Sequence, residues 1–491
     1  MRLIKSYRNL QKPVKATLWF AFSNFFQKGI AFLLIPIFTR FMLPEQYGQY
    51  SVFQSWYSVL VIVVTLSLGK NVFHKGMMEF EDQKEQYTAS MAGLGMLSTL
   101  VFTMVYLVAP AFWNEITRLS TRLTLLMFVE FFFFSTFDCW SSRKRFDFDY
   151  SAVVSLSLAV AALTAIVSVP AVISAHSGAP GTEGSVAIVC KVAVGAAIYA
   201  IPLVFVLKKS KEVFNWRYWK FALLFNLPVI VHLMSTVLLQ NVDRIMIARM
   251  CGDYEAGIYS IAYSMAMVLL IVNVSINGSL TPWTFKAIKA NNEHEVRKIG
   301  STYLAFVALI NTLLVCIAPE VVNLVATGTY RDAVYIIPPV AASVVFIAMQ
   351  DLFLNIEYYY SKTRLIMGAT MIAAAANVAL NMVFIKLYGY MAAGYTTLAC
   401  YILLSAVHFV CYRSICSKKK IEGLYDIRFF VMVSLVSTGI MMLMLALYPY
   451  PVARYTFLAM FTIIIVLNRR VVFAALKSLA SKDLSVEADG L

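Results

Sequence analysis

Lys28 stands near the middle of an apolar run from Ala16 to Phe38, where a charged side chain needs a purpose. Asn24 and Gln27 precede it by four residues and one, and positions 24, 27, 28 and 31 share one face of a helix. In hydrocarbon that Asn-Gln-Lys-Ala face is unfavourable; along a wet cavity it is natural. An ammonium there holds an anion as a compact point charge. Otherwise it is neutralised in a structural ion pair with Glu130 or Asp138 of a later run. Lys191 is a second cation inside an apolar run, placed nearer the run's outer end, from which its long stem can snorkel outward. His232, Thr236, Gln240 and Asp243 recur at steps of four, four and three and form a stripe. His232 can titrate near neutral pH. Pro228, one turn above, removes a backbone donor and predicts a hinge or an unwound turn. Asp351 shares a face with Asn355 and Tyr358. Four acids lie at membrane depth, Glu130, Asp138, Asp243 and Asp351, and are candidates for proton or sodium coupling or for intramembrane ion pairs. Asn377 and Asn381, four apart, predict hydrogen bonds between helices.

These residues need elements that carry them into a membrane. Of 491 residues, 60% are hydrophobic and only 14% charged, whereas a soluble domain holds about 25% charged residues. Runs of about 20 mostly apolar residues recur fourteen times: the first near 16–39, the second near 48–69, the seventh near 220–247, the eighth near 257–283, the tenth near 335–360 and the last near 452–468. The fold class expected is therefore an all-α membrane protein of about fourteen transmembrane helices. With the N-terminus placed in the cytoplasm and the sides alternating, about three quarters of the Lys and Arg residues fall on the cytoplasmic side, the positive-inside bias. That bias also accounts for the net charge of +15 without nucleic acid. An even number of spans puts both termini in the cytoplasm.

The seven cysteines sit mostly within apolar runs, with no CxxC pair, and read as small apolar residues, not metal ligands or a disulfide frame. Phosphate-loop, HExxH and calcium-loop motifs are absent. No cofactor is expected, and no outer segment is large enough for separate enzyme chemistry; the longest, around 320–334, offers only Glu320, Arg331 and Asp332.

The polar break RFMLPEQYGQYS at 40–51 has an echo in RMCGDYEAGIYS at 249–260: Arg40, Gly48, Tyr50 and Ser51 align with Arg249, Gly257, Tyr259 and Ser260. Each break follows the first span of a group of six, so the chain divides into 1–207 (spans one to six), 208–413 (spans seven to twelve), 414–468 (spans thirteen and fourteen) and a cytoplasmic tail at 469–491. Internal repeats enclosing a site are a common transporter plan. Pro44 and Gly48 are expected to shape the first reversal.

Three stretches carry a resemblance. TRFMLPEQYGQYSVFQ is similar to the first outer turn of bacterial polysaccharide flippases, the O-antigen, capsule and exopolysaccharide flippase family. DRIMIARMCGDYEAGIYSIAY (243–263) is similar to that family's signature in span seven and the turn after it. The segment 358–398, with Asn377 and Asn381 followed by Tyr-Gly-Tyr, resembles its spans eleven and twelve. The superfamily it implies also holds multidrug extruders and the peptidoglycan-precursor flippase. The resemblance implies two six-helix lobes in a V, set in the bacterial inner membrane. It implies alternating access that turns a polyprenyl-diphosphate-linked oligosaccharide to the outer leaflet. For such a substrate the polar residues read above from their depth give the expected site: Lys28 drawing in the diphosphate, with Asn24, Gln27, His232 and Lys191 in the cavity. Membrane lipids and other polysaccharide-assembly proteins are the partners implied. The rival expectations are a multidrug or cation extruder of the same fold, a membrane-embedded assembly enzyme and a passive scaffold.

Overall fold

The computed structural model describes residues 11–421, 423–467 and 469, so the expected tail at 469–491 lies outside the described residues except for Arg469. Without water in the bilayer, every backbone N–H and C=O must be satisfied within the segment. The chain meets this with helices throughout. In order they are α1 Lys12–Phe41, α2 Pro44–Val64, α3 Asn71–Glu79, α4 Lys84–Val108, α5 Pro110–Thr117, α6 Thr121–Phe146, α7 Tyr150–Gly178, α8 Glu183–Tyr199, α9 Ile201–Lys209, α10 Trp216–Met250, α11 Asp253–Lys289, α12 Glu293–Cys316, α13 Ala318–Val325, α14 Ile337–Tyr359, α15 Thr363–Tyr388, α16 Ala392–Lys419, α17 Ile427–Leu447 and α18 Pro451–Leu467. There is no strand among the described residues.

Twelve of these helices, with α8 and α9 counted as one, are long and apolar enough to cross a membrane. The other two expected spans are present as helices of a different character. α2 has the length, at 21 residues, but carries Gln46, Gln49, Gln54, Ser55 and Ser58, and much of it is buried inside the protein. α18 is described for only 17 residues.

Two compact units divide the chain, Met1–Gly257 and Ile258–Leu491. In the first, α1 lies on α7, α4 and α8 flank α6, and α2 packs between α8 and α10. Thus α10, which the numbering of spans places at the start of the second group of six, packs along α2, α3 and α4 of the first unit. In the second, α14 is the central helix, covered by α12, α16 and α17.

The reversal at 40–51 is built differently from the expectation. α1 ends at Phe41, where the Met42 N–H donates to the Phe38 carbonyl, and α2 starts at Pro44, whose missing N–H would have had no helical partner. The Gln46 side chain accepts from the Leu43 N–H at 2.9 Å and caps that start. Gly48 is therefore helical and shapes no turn. Its role is a close approach: a β-carbon there would overlap the Asp253 carbonyl and stand 3.0 Å from the Gly257 nitrogen. The relation is mutual, because a β-carbon on Gly257 would overlap the Pro44 carbonyl and stand 3.1 Å from the Gly48 nitrogen.

Between α2 and α3 the chain turns through Leu66 and Ser67, both left-handed at φ of 55° and 45°. Non-glycine residues pay for this conformation with about 1–3 kcal/mol each, so neighbours must hold it. Asn226 of α10 donates to the Leu66 carbonyl. On α6, Asp138 accepts from the Gly69 N–H at 3.1 Å and Ser142 donates to the Gly69 carbonyl.

Candidate functional site

The exposed side of α1 is split into two stripes. Leu18, Phe22, Phe25, Phe26 and Leu33 form an apolar one. Thr17, Ala21, Asn24, Lys28 and Ala31, at steps of four, three, four and three, form a small and polar one beside the buried residues Ile35 and Thr39. A helix that met lipid on its whole free surface would have no use for the second stripe. Lys28 and Asn24 are exposed on it, as the spacing predicts. Gln27 is not: it is half-buried and folds back to donate to the Ser23 carbonyl and hydroxyl at 3.2 and 3.1 Å. Among the described residues, no acid pairs with Lys28.

The two acids that could have neutralised Lys28 are engaged elsewhere. Asp138 holds the loop after α2, as described. Glu130 of α6 is 1% exposed and accepts from the Tyr57 hydroxyl of α2 at 3.1 Å, while its second oxygen has no partner. Tyr57 in turn carries Lys191 of α8 over its ring, at 4.3 Å from the centroid, and Lys191 donates to Gln54 one turn earlier on α2. The ammonium therefore points into unit one and does not snorkel outward. Gly195, one turn beyond Lys191, makes the room, since a β-carbon there would overlap the Glu130 carboxylate. Gln54 and Tyr57 escaped the sequence reading; the signal was a polar, aromatic second span that no lipid-facing helix would tolerate.

Helix α10 runs unbroken from Trp216 to Met250, so no unwound turn occurs at Pro228. Its expected stripe stays on one helix but is unevenly buried. His232 is half-buried with Nδ1 unpartnered, Gln240 is exposed, and Asp243 is buried in packing. Arg244 faces another way and donates to the Gln240 carbonyl at 3.2 Å.

In unit two the polar residues pair along facing helices. Asn273 donates to Asp351 at 3.0 Å and accepts from the Tyr303 hydroxyl. One turn on, Asn355 donates to Asn277 at 3.0 Å and accepts from Thr281 at 2.8 Å. Phe285 and Tyr359 continue the ladder as an aromatic pair. Asn377 and Asn381 are fully buried; Thr396 of α16 donates to Asn381, the interhelical bond expected of it, whereas Asn377 accepts from Asn381 within the helix at 3.3 Å and its Nδ2 has no partner. No cluster of three or more metal-ligating side chains exists among the described residues.

Three comparisons bear on this arrangement. The family described as "Polysaccharide biosynthesis protein" matches residues 14–288. A protein of the Lsg locus of Haemophilus influenzae is 24% identical over 202 residues, which is 38% of this chain and 49% of that protein; the match thus spans about half the relative's length. Among solved structures, a lipid II flippase, MurJ, in an inward closed conformation is similar over 93% of this chain and 100% of its own, with a TM-score of 0.68 and 11% identity. A multidrug resistance MATE family transporter of the MOP superfamily, inward-facing, is similar over 81% of this chain and 96% of its own, with a TM-score of 0.61 and 12% identity. At such identities the likeness is one of fold.

Proposed function

We propose a function from one premise: the chain belongs to the family of polysaccharide biosynthesis proteins. The reaction we infer is the translocation of a polyprenyl-diphosphate-linked oligosaccharide from the inner to the outer leaflet of a bacterial cytoplasmic membrane, by alternating access and without covalent chemistry on the sugar. The fold shared with a lipid II flippase supports the substrate class, since lipid II is the cargo that structure's name gives.

The observation that carries the reading is the polar stripe of α1. Lys28 is an exposed cation in a candidate membrane span, with no acid beside it among the described residues and with Ala31 one turn after it and Ala21 two turns before it on the same stripe. A diphosphate is the anion such a site suits, and the small neighbours leave room for it. The sugar would travel along this wet face while the polyprenyl tail stays in lipid. Asn24 adds a neutral donor on the same stripe; Lys191, steadied by Gln54 and Tyr57, is a second cation in the same unit.

Replacing Lys28 with glutamate is expected to cut translocation of lipid-linked oligosaccharide in reconstituted vesicles by about tenfold or more, because hydrogen bonds to charged groups contribute about 1.5–3 kcal/mol and about 1.4 kcal/mol is tenfold. Lys28→Arg should retain most of the rate. Equal rates for wild type, Lys28→Ala and Lys28→Glu would refute the role given to Lys28. Export of cationic dyes by the same vesicles, with the lipid-linked sugar left in place, would favour the extruder reading.

A further inference from the structure

One face of α10 in unit one differs in kind from the polar stripe of α1. Arg217, Lys220, Leu224, Leu227 and Val231 are all exposed and follow one another at steps of three, four, three and four, so they form one stripe. Its first turn is cationic and the rest is apolar. From Lys220 to Val231 the helix rises about 16 Å, close to half of a hydrocarbon core about 30 Å thick. The opposite face of α10 fixes where this stripe points. Asn215 caps the helix by accepting from the N–H groups of Arg217 and Tyr218 at 3.0 and 3.4 Å. The Tyr218 hydroxyl donates to Gln83 at 2.6 Å, and the Trp219 indole donates to the Ser90 carbonyl of α4 at 2.9 Å. Trp216, 60% exposed, stands beside the cationic turn, and tryptophan is enriched where a span leaves the hydrocarbon.

Two cations at this end are seated on rings. Arg217 lies over Phe80, 5.2 Å from the centroid, and Lys75 of α3 lies over Phe225 of α10, at 4.7 Å. An ion pair cancels the charge it holds, whereas a ring orients a cation through its quadrupole and leaves the charge whole. Acids of the same end are engaged by other groups: Glu85 by Arg143 and Lys209, Glu81 by Lys84, and Glu212 by the Asn215 side chain. No acid pairs with Lys75, Arg217 or Lys220 among the described residues. Positive charge at the end of a span is an ordinary topology signal. A topology signal needs neither ring seats nor an apolar continuation on the same stripe.

We propose that this stripe binds an anionic phospholipid of the leaflet at that end, with the phosphate on Arg217 and Lys220, Lys75 flanking it, and an acyl chain along Leu224, Leu227 and Val231. Each half of the stripe fits one half of such a lipid, and a free phosphate would have no use for the apolar turns. The site does not depend on the translocation function above.

The test uses the full-length protein in detergent micelles. The probes are phosphatidylglycerol and phosphatidylcholine with the same acyl chains, and native mass spectrometry counts the lipid retained. Wild type should retain phosphatidylglycerol over phosphatidylcholine. Lys75→Gln, Arg217→Gln and Lys220→Gln should each lower that preference by about fivefold, the contribution of one Lys or Arg near an anionic surface. Arg217→Lys, which keeps the charge, should keep most of it. Leu224→Ser combined with Leu227→Ser should weaken retention of both lipids alike. All these side chains are exposed, so the variants should fold as wild type does. Arg413→Gln, Lys418→Gln and Lys420→Gln together remove the same charge from exposed positions of unit two and should leave the preference unchanged. A wild type without the preference, or a loss in the unit-two variant as large as that in the three α3 and α10 variants combined, overturns the site and leaves diffuse surface charge. Displacement of phosphatidylglycerol by an equimolar amount of polyprenyl diphosphate, abolished in the same three variants, overturns the occupant and gives the stripe to a diphosphate lipid.

Discussion

Substituting leucine for Gly48 is expected to leave little folded protein, and even alanine should destabilise it. Two effects compete for the alanine variant. In a helix interior alanine is favoured over glycine by up to about 1 kcal/mol. Against this, the added β-carbon meets the Asp253 carbonyl and the Gly257 nitrogen, which are backbone atoms that cannot swing aside. Overpacking costs about 1–3 kcal/mol where side chains can adjust, and more where they cannot, so the clash wins. Gly29→Ala is the control: no atom outside its own helix lies within 4 Å of a β-carbon there, and the variant should be neutral or slightly stabilised. Thermal unfolding of both proteins in detergent, followed by monodispersity, makes the comparison. A Gly48→Ala protein as stable as Gly29→Ala would mean that α2 and the start of α11 are not in contact as described.

The second large effect is expected at Glu320, in the short helix α13 outside the candidate spans. Its Oε1 accepts from both Arg454 and the Tyr455 hydroxyl of α18. Arg454 is 3% exposed, Glu320 is its ion-pair partner, and its Nε and Nη1 have no bond of their own. Glu320→Ala would leave a buried guanidinium without its ion-pair partner; because the Glu320 side chain is itself 42% exposed, water makes up part of the loss, and the cost is expected at about 1–3 kcal/mol. Adding Arg454→Met should recover much of that, because the charge goes with its partner. The pair also has a pH signature. Burial pushes the Glu320 carboxyl up, but hydrogen bonds from Tyr455 and Arg454 more than reverse this and hold it below its ordinary 4.5. A carboxyl lowered on folding stabilises above its unfolded pKa and loses that contribution as pH falls through the folded value. Wild type should therefore lose stability on acidification in a window below about pH 4.5 in which Glu320→Gln loses less. Identical acid profiles for the two would remove the pair from the stability of this region.

Hydropathy and alternation made most of the helices legible, because a span in lipid must be apolar along its length whatever its neighbours are. The second span, Pro44–Val64, reads as one more apolar run, yet its Gln and Ser residues are accommodated by burial against other helices, which no window along the chain can see. Lys28 and Asn24 are where the helical period puts them. The partners of the intramembrane acids were not legible. Glu130 meets Tyr57 across 73 positions and Asp138 meets Gly69 across 69, so proximity is set by the packing of α2 against α6 and not by spacing. His408 was invisible for the same reason; 51 residues separate it from Glu357. Gly48 could be seen as part of a motif, but a glycine in a helix looks the same in sequence whether it bends the chain or admits a neighbour.

The mutual contact of the two repeated segments has a symmetry of its own. Pro44 and Gly48 meet Gly257, and Asp253 and Gly257 meet Gly48; each residue's counterpart in the other copy makes the same contact in return. That is the rule of an isologous patch, the kind by which identical subunits join about a two-fold axis. Carried twice on one polypeptide, such a patch is permanently supplied with its mate, here within the first compact unit. The atoms met are all backbone, so the constraint falls on positions 48 and 257, where any β-carbon would clash, and not on the side chains at 44 and 253.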